Sequence, residues 1–402
     1  MARVTPPGRL RALVLAGGGT AGGLYEIGAL LALEAVWDGF SATDFDLYVG
    51  TSAGAFVAAL LASRISPARV RAAIHADGRS LPRLSGTQFL SVPWRSWLGA
   101  LPRLAAAVPG LAREVWTHWG EVVLLDSLGS LVRHLPHGVF SLDGLEGWIR
   151  AALARNGASD DFRRLRRRLL VPATVLDTGA IHVFGTSAHE RTPISRAVAA
   201  SAAVPILYEP VRIDGVDYVD AGVTKTAHAG LAVDAGAALV VVVNPIRPVV
   251  FDLPATRGIR DGGAFAIAGQ ALRIALHRRL HDGLRRHAYE HPEADVVLLE
   301  PYEHDLRLFD TPLITYSLQH EIVRRGFRTT VKTILRDFDR WAALFARHGI
   351  GVVSRAEVER RAQRWSSARV AADGRPVRRP PARPRRAGAG SDADSRYVST
   401  RL

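Results

Sequence analysis

Two stretches near the N-terminus repeat one pattern: a short apolar run, a glycine-rich break, then apolar residues at helical spacing. Residues 10–16 form the first run, Gly17, Gly18 and Gly19 break it, and Leu24, Ile27, Leu30, Leu31 and Leu33 recur three and four apart as far as Val36. Residues 45–49 form the second, running into the turn of residues 50–54 and then the Ala/Leu-rich segment 55–63. Strand, tight turn and helix, twice over, is the rhythm of a parallel sheet flanked by helices. Further strands are expected at 169–176, 182–184, 238–243 and 296–299, and 313–345 reads as largely helical. The fold class is therefore α/β with a mainly parallel sheet.

Residues 81–136 break the rhythm. They hold Trp94, Trp97, Trp116 and Trp119, four of the eight tryptophans, and scattered prolines, and they read as a helical cap or insertion. Packing of these rings against the core is the weightier expectation, and an interfacial position against lipid the sharper one. From residue 371 onward the chain is rich in Arg, Pro, Gly and Ala with almost no large apolar residues, which predicts a disordered basic tail at 371–402. The segment 355–402 alone carries 13 Arg against three Asp and two Glu, a large part of the +14 net charge. A basic surface suits anionic phospholipid head groups or nucleic acid, and charge alone does not choose.

The chain has no cysteine, which removes disulfides, thiolate metal sites and a cysteine nucleophile together. No uncharged apolar run approaches the ~20 residues of a membrane-spanning helix. The N-terminal Arg3, Arg9 and Arg11 precede an apolar stretch, but it runs directly into Gly17 and reads as a strand and turn, not as a signal peptide. The expectation is a cytoplasmic protein, peripheral at most to a membrane.

Three motifs carry chemistry. Gly50-Thr51-Ser52-Ala53-Gly54 follows a strand and precedes a helix, the context in which G-x-S-x-G holds a serine on a sharp turn with its hydroxyl at the open end of a sheet. Gly17-Gly18-Gly19-Thr20-Ala21-Gly22 follows the first strand. Its glycines match a dinucleotide-binding turn, with Asp44 and Asp46 near where a ribose-binding acid would fall. They equally suit backbone N–H groups converging on an oxyanion. Asp220-Ala221-Gly222 follows a hairpin predicted to turn at Asp214-Gly215; by itself Asp-x-Gly reads as a loop turn.

Taken together, these motifs resemble the patatin-like phospholipases in order and approximate spacing, and the Ala200-Ser201-Ala202-Ala203-Val204-Pro205 segment resembles that family's A-S-x-x-x-P stretch. The resemblance covers roughly residues 10–299, within an expected domain of 10–350, and implies a three-layer α/β/α sandwich. It implies a Ser–Asp dyad without histidine: Ser52 the nucleophile, Asp220 the base, and Gly18 and Gly19, with Ala53, the oxyanion donors. Gly17 and Gly22 complete that loop, Gly50 and Gly54 flank the elbow, and Ala221 and Gly222 complete the acid motif. The substrate implied is a lipid or other acyl ester, cleaved in phospholipase A or lysophospholipase fashion, with no cofactor, no metal and no nucleic acid. Such a base requires Asp220 to be partly desolvated and in contact with Ser52. Three positions depart from the family pattern: Ala21 stands where Arg is frequent, Ala221 where glycine is usual, and residues 225–228 (Lys-Thr-Ala-His) lack the usual Asn and Pro.

Two other readings stand beside this one. An esterase with a Ser–Asp–His triad would draw on His228, His277, His281 or His304. A non-enzymatic basic binding protein would draw on Arg163, Arg164, Arg166, Arg167 and Arg168 and on the tail.

Overall fold

The computed structural model describes residues 10–75, 81–94, 96–100, 137–186, 191–250, 258–301 and 319–367, with a few isolated positions besides. The two repeated units become β1 (Leu10–Leu15) with α1 (Gly19–Val36) and β3 (Leu47–Gly50) with α2 (Ala53–Ala62), separated by a short β2 (Trp37–Asp38). After α3 (Pro67–His75) and α4 (Asp143–Arg155) come β4 (Arg168–Val175), β5 (Ile181–Phe184) and α5 (Ile194–Ala202). The hairpin β6 (Val211–Ile213) and β7 (Val216–Val219) turns at Asp214 and Gly215, both at positive φ (48° and 83°), the geometry a two-residue hairpin loop needs. Then follow α6 (Ala229–Asp234), β8 (Ala237–Val243), α7 (Gly263–Glu290) and β9 (Asp295–Leu299). Next come α8 (Gln319–Arg336), α9 (Phe338–Arg347), β10 (Gly351–Val352) and α10 (Arg355–Ser367), followed by two short strands, Arg369–Val370 and Pro376–Val377.

The main sheet has eight strands in the order β6-β7-β4-β3-β1-β8-β9, with β5 also paired to β4. Strands β4, β3, β1, β8 and β9 are mutually parallel, while β5, β6 and β7 are antiparallel additions at one side. β8 reads Ala-Ala-Leu-Val-Val-Val-Val and is almost wholly buried, as a strand covered on both faces must be. The two faces can be read from β1. Leu13 and Leu15 pack into the larger core with α1, α2, α4 and α5, whereas Ala12, Val14 and Ala16 pack into a smaller core with α6 and Leu280 of α7. Helices on both faces of the sheet make a three-layer α/β/α sandwich.

The packed unit runs past residue 350, the expected boundary: β10 pairs with β2, and Trp365 of α10 stacks on Phe327 of α8 with ring centroids 3.8 Å apart. In the Trp-rich segment, Trp94 and Trp97 are 60% and 38% exposed. Trp116, Trp119 and all of the basic tail at 371–402 except Pro376 and Val377 lie outside the described residues; those two pair antiparallel with Val370 and Arg369. Among the described residues no helix is long and apolar enough to cross a membrane.

Candidate active site

Strands β1, β3 and β8 end level with one another, Leu15 opposite both Gly50 and Val243. The chain leaves β1 to form β3 and β4 on one side, then returns to place β8 on the other. This reversal opens a crevice at the carboxyl ends of the strands. Ser52 stands at that end, one residue past Thr51, with φ 56° and ψ −124°. Positive φ is uncommon for a side-chain-bearing residue and is held only by its surroundings. The flanking glycines are those surroundings. A methyl group on Gly50 would lie 2.5 Å from the Ala55 Cα, and one on Gly54 2.6 Å from the Ala16 carbonyl oxygen, so only glycine lets the turn close against α2 and β1. The Ser52 N–H donates to the Ser201 Oγ at 3.0 Å, and Ser201 is fully buried in the last turn of α5. Ser201 was visible in the sequence as part of a motif; its role as an anchor of the elbow was not, because the two residues are 149 apart.

Asp220 follows β7. Its N–H donates to the Ala203 carbonyl at 2.9 Å, its own carbonyl accepts from the Thr174 hydroxyl at 3.3 Å, and one carboxylate oxygen accepts from the Gly222 N–H at 2.6 Å. The loop turn read from Asp-x-Gly is thus present, and it serves to aim the carboxylate. Burial pushes the Asp220 carboxyl up to about 6, against the opposing pull of hydrogen bonds from the Ser52 hydroxyl and the Gly222 N–H. Ser52 and Asp220 are both 4% exposed.

The glycine loop lies on the other side of Ser52. Gly17 donates its N–H to the Thr226 carbonyl at 2.8 Å, and a methyl on Gly17 would touch the Ser52 Cβ at 3.3 Å. Gly18 has Pro245 against it, with room for no side chain: a methyl there would sit 2.7 Å from the proline ring. α1 begins at Gly19 and α2 at Ala53, so both helices present their first turns here. First-turn N–H groups lack intrahelical acceptors and carry the positive end of the helix dipole. Gly17, Gly18, Gly19, Ser52, Ala53, Asp220 and Gly222 line one cavity of about 1710 Å³. Its walls are largely apolar, among them Leu24, Ile27, Phe56, Leu84, Phe89 and Leu145, with Arg247 and Arg273 also on the lining. That volume exceeds the ~300–1,000 Å³ of usual small-molecule sites. Ala21, in the place where the family pattern has Arg, lines the cavity too.

The competing site residues fall elsewhere. Asp46 lies at the start of β3, at the opposite end of the sheet, paired to Arg167 at 2.6 Å and Arg11 at 3.4 Å; Asp44 accepts the Ser41 N–H. Neither reaches the glycine loop as a ribose acid would. His228 Nδ1 pairs with the Thr51 hydroxyl at 3.0 Å, and burial, then the charge of Lys225, push this imidazole down to about 4. His277 and His281 both face Glu300, and His304 lies outside the described residues. Among the described residues no histidine lines the cavity. The arginine cluster sits where β4 begins, again at the far end of the sheet, with Arg163 on Asp161 and Arg167 on Asp46.

Comparison with known proteins bears on this arrangement. The family model described as patatin-like phospholipase matches residues 13–233, a span that takes in the glycine loop, the elbow and Asp220. No curated protein sequence matches the chain. Among solved structures, VipD from Legionella pneumophila is similar over 81% of this chain and 66% of its own, at 16% identity and a TM-score of 0.36. The type III effector protein ExoU is similar over 82% of this chain and 54% of its own, at 17% identity and a TM-score of 0.34. ExoU in complex with SpcU, from Pseudomonas aeruginosa, gives 14% identity and 0.30. This chain therefore spans about two thirds or less of the solved chains it resembles.

Proposed function

The chain belongs to the patatin-like phospholipase family, and on that premise we propose that it is a lipid acyl hydrolase in which Ser52 is the nucleophile and Asp220 its general base. The observation that carries this reading is the contact between the Ser52 hydroxyl, held on a strained turn, and a buried Asp220 whose carboxyl is raised to about 6. An ordinary carboxylate near ~4 is a poor base at neutral pH, whereas one near 6 is still ionised at pH 7–8 and accepts a proton more readily.

In this mechanism the Ser52 oxygen attacks the ester carbonyl while its proton passes to Asp220. The negative charge moves to the carbonyl oxygen, where N–H groups of Gly18, Gly19 and Ala53 receive it. The C–O bond to the alcohol breaks, and the alcohol leaves with the proton from Asp220. Water, deprotonated by Asp220, then attacks the acyl-enzyme and releases the fatty acid and Ser52. The apolar wall suits an acyl chain, each buried methylene contributing ~0.8 kcal/mol. Arg247 and Arg273 on the same lining suit the phosphate of a phospholipid or lysophospholipid, a charge that Ala21 does not supply. The chain would act as a peripheral protein on a lipid surface.

Hydrolysis of a short-chain p-nitrophenyl ester by the wild type, Ser52→Ala and Asp220→Asn tests the dyad. The expected losses in kcat are at least ~10³-fold for Ser52→Ala and ~10²–10⁴-fold for Asp220→Asn, with the far-UV circular dichroism unchanged. Activity surviving in Ser52→Ala would remove the nucleophile from this reading. Activity surviving only in Asp220→Asn would move the base elsewhere.

A further inference from the structure

His277 and His281 are four residues apart on α7, so they share one face of the helix. That face meets Glu300, the residue after β9. Glu300 Oε2 lies 3.4 Å from His277 Nε2 and 3.2 Å from His281 Nε2, and the donor atoms of all three residues lie within 4.8 Å of one another. We propose that His277, His281 and Glu300 form a binding site for a divalent transition metal ion of the zinc class, separate from the Ser52 site.

The geometry suits such an ion. Ligand atoms ~2.0–2.1 Å from a tetrahedral zinc stand ~3.3 Å from each other, close to both histidine–carboxylate separations here. Binding would require the two imidazole nitrogens to reach the same separation. Two imidazoles and one carboxylate are a borderline N/O donor set that selects Zn2+, Co2+ or Ni2+. The hard ions Ca2+ and Mg2+ call for several oxygens, and only one of these three groups offers them. Access is open: the His281 side chain is 41% exposed, which leaves room for water to complete the coordination.

The carboxylate is held from behind, as ligating carboxylates usually are. Glu300 Oε1 accepts from Asn244 Nδ2 at 2.7 Å, and the same amide group donates to the Ile246 carbonyl at 2.8 Å. Asn244 precedes Pro245, the ring on which Gly18 and Gly22 close. An ion here would tie α7, whose earlier turns line the cavity, to the ends of β8 and β9. It would be a structural clamp on the wall of the site, taking no part in the ester chemistry.

Isothermal titration of the untagged full-length chain, stripped with EDTA and dialysed, with Zn2+ is the test, together with the visible spectrum of the Co2+ form and the melting temperature with and without Zn2+. One equivalent should bind per chain, with a Co2+ absorption typical of a four- or five-coordinate site and a rise in melting temperature. His281→Ala and Glu300→Gln should each weaken binding by more than the ~10–100-fold that loss of an outer-shell partner costs, and should abolish the rise. His291→Ala, which removes a separate exposed pair with Glu293, should change nothing. Failure of Zn2+ to bind, or binding and a melting shift that persist in His281→Ala, would overturn the proposal. His281 is exposed enough that its replacement leaves the fold intact, so the outcome does not hang on Glu300→Gln.

Discussion

Asp220 and His228 lie on the same loop, and burial pushes them in opposite directions: the carboxyl up from 3.8 to about 6, the imidazole down from 6.5 to about 4. Each shift is a statement about stability. Asp220 holds its proton more tightly in the folded state, so its contribution is full below ~3.8 and is lost as pH rises through about 6. His228 resists its proton in the folded state, so its contribution is full above ~6.5 and is lost as pH falls through about 4. Between pH 4 and 6 the two slopes oppose and nearly cancel, each amounting to about 3 kcal/mol at ~1.4 kcal/mol per unit. Asp220→Asn should therefore unmask the histidine and make stability rise with pH more steeply than in the wild type. His228→Gln should do the reverse. Urea unfolding from pH 4 to 8 measures both, and two variants that track the wild-type slope would refute the assignment. The activity profile follows from the same carboxyl: kcat/KM should fall tenfold per unit below an apparent pKa near 6, because the protonated acid accepts nothing from Ser52. Ser52, Asp220 and the glycines were legible in the chain because each sits in a short motif whose local geometry is the message. The contacts of Ser201, Thr51 and His228 were not, since they are set by how β3, α5 and the loop after β7 come together.

Helix α1 makes the same point one level up. The triple glycine reads as a loop, and the helical spacing was visible only from Leu24, yet the helix starts at Gly19. Propensity argues against glycine there; tertiary contact overrides it, because Pro245 leaves no room for a side chain at Gly18 or Gly22. Further along, α1 crosses α8 so closely that a methyl on Gly28 would overlap the Val323 carbonyl, and one on Gly326 the Tyr25 carbonyl. Gly28→Ala ought to gain ~0.5–1 kcal/mol from helix propensity. The expected result is the opposite, a loss of ~1–3 kcal/mol from forcing the helices apart, with reduced esterase activity because the same helix carries the glycine loop. Gly283→Ala on α7, where a methyl meets nothing within 4 Å, should show the propensity gain alone. Thermal melts of the two variants separate the terms. Gly28→Ala melting at or above the wild type would mean that α1 and α8 are not in this contact. α7 itself was not among the helices expected from the sequence, where His277 and His281 figured only as candidate triad histidines. Much of its surface is exposed, so no apolar stripe marks its 28 residues, and nothing in the sequence connects it to Glu300.

At the scale of the whole molecule, the arginine cluster at 163–168 and the cavity lie at different ends of the sheet. The arginines at 163–168 stand at the start of β4, while Ser52 and the cavity stand at the other end of the parallel strands. Apolar groups are what the cavity end exposes: Ile206 is 86% exposed between the lining residues Pro205 and Leu207, and Val223 and Leu272, lining residues themselves, are 52% and 59% exposed. Ile206 also has φ 74°, a conformation a β-branched residue adopts only under constraint. A rim of this kind is what a lipid surface would cover, and burial of one such side chain is worth ~1.5–3 kcal/mol, roughly 10–100-fold in partitioning. Ile206→Glu should therefore weaken binding to phosphatidylcholine vesicles by about that factor and slow hydrolysis of vesicle lipid, while p-nitrophenyl acetate turnover in solution stays near the wild-type rate. Arg164→Glu at the far end should leave neutral-vesicle binding as it was. Co-sedimentation with vesicles reads both. Equal sedimentation of Ile206→Glu and wild type would detach the mouth of the cavity from the membrane, whereas a loss on Arg164→Glu would mean that the basic end is the one that meets lipid and that the active site faces away from it.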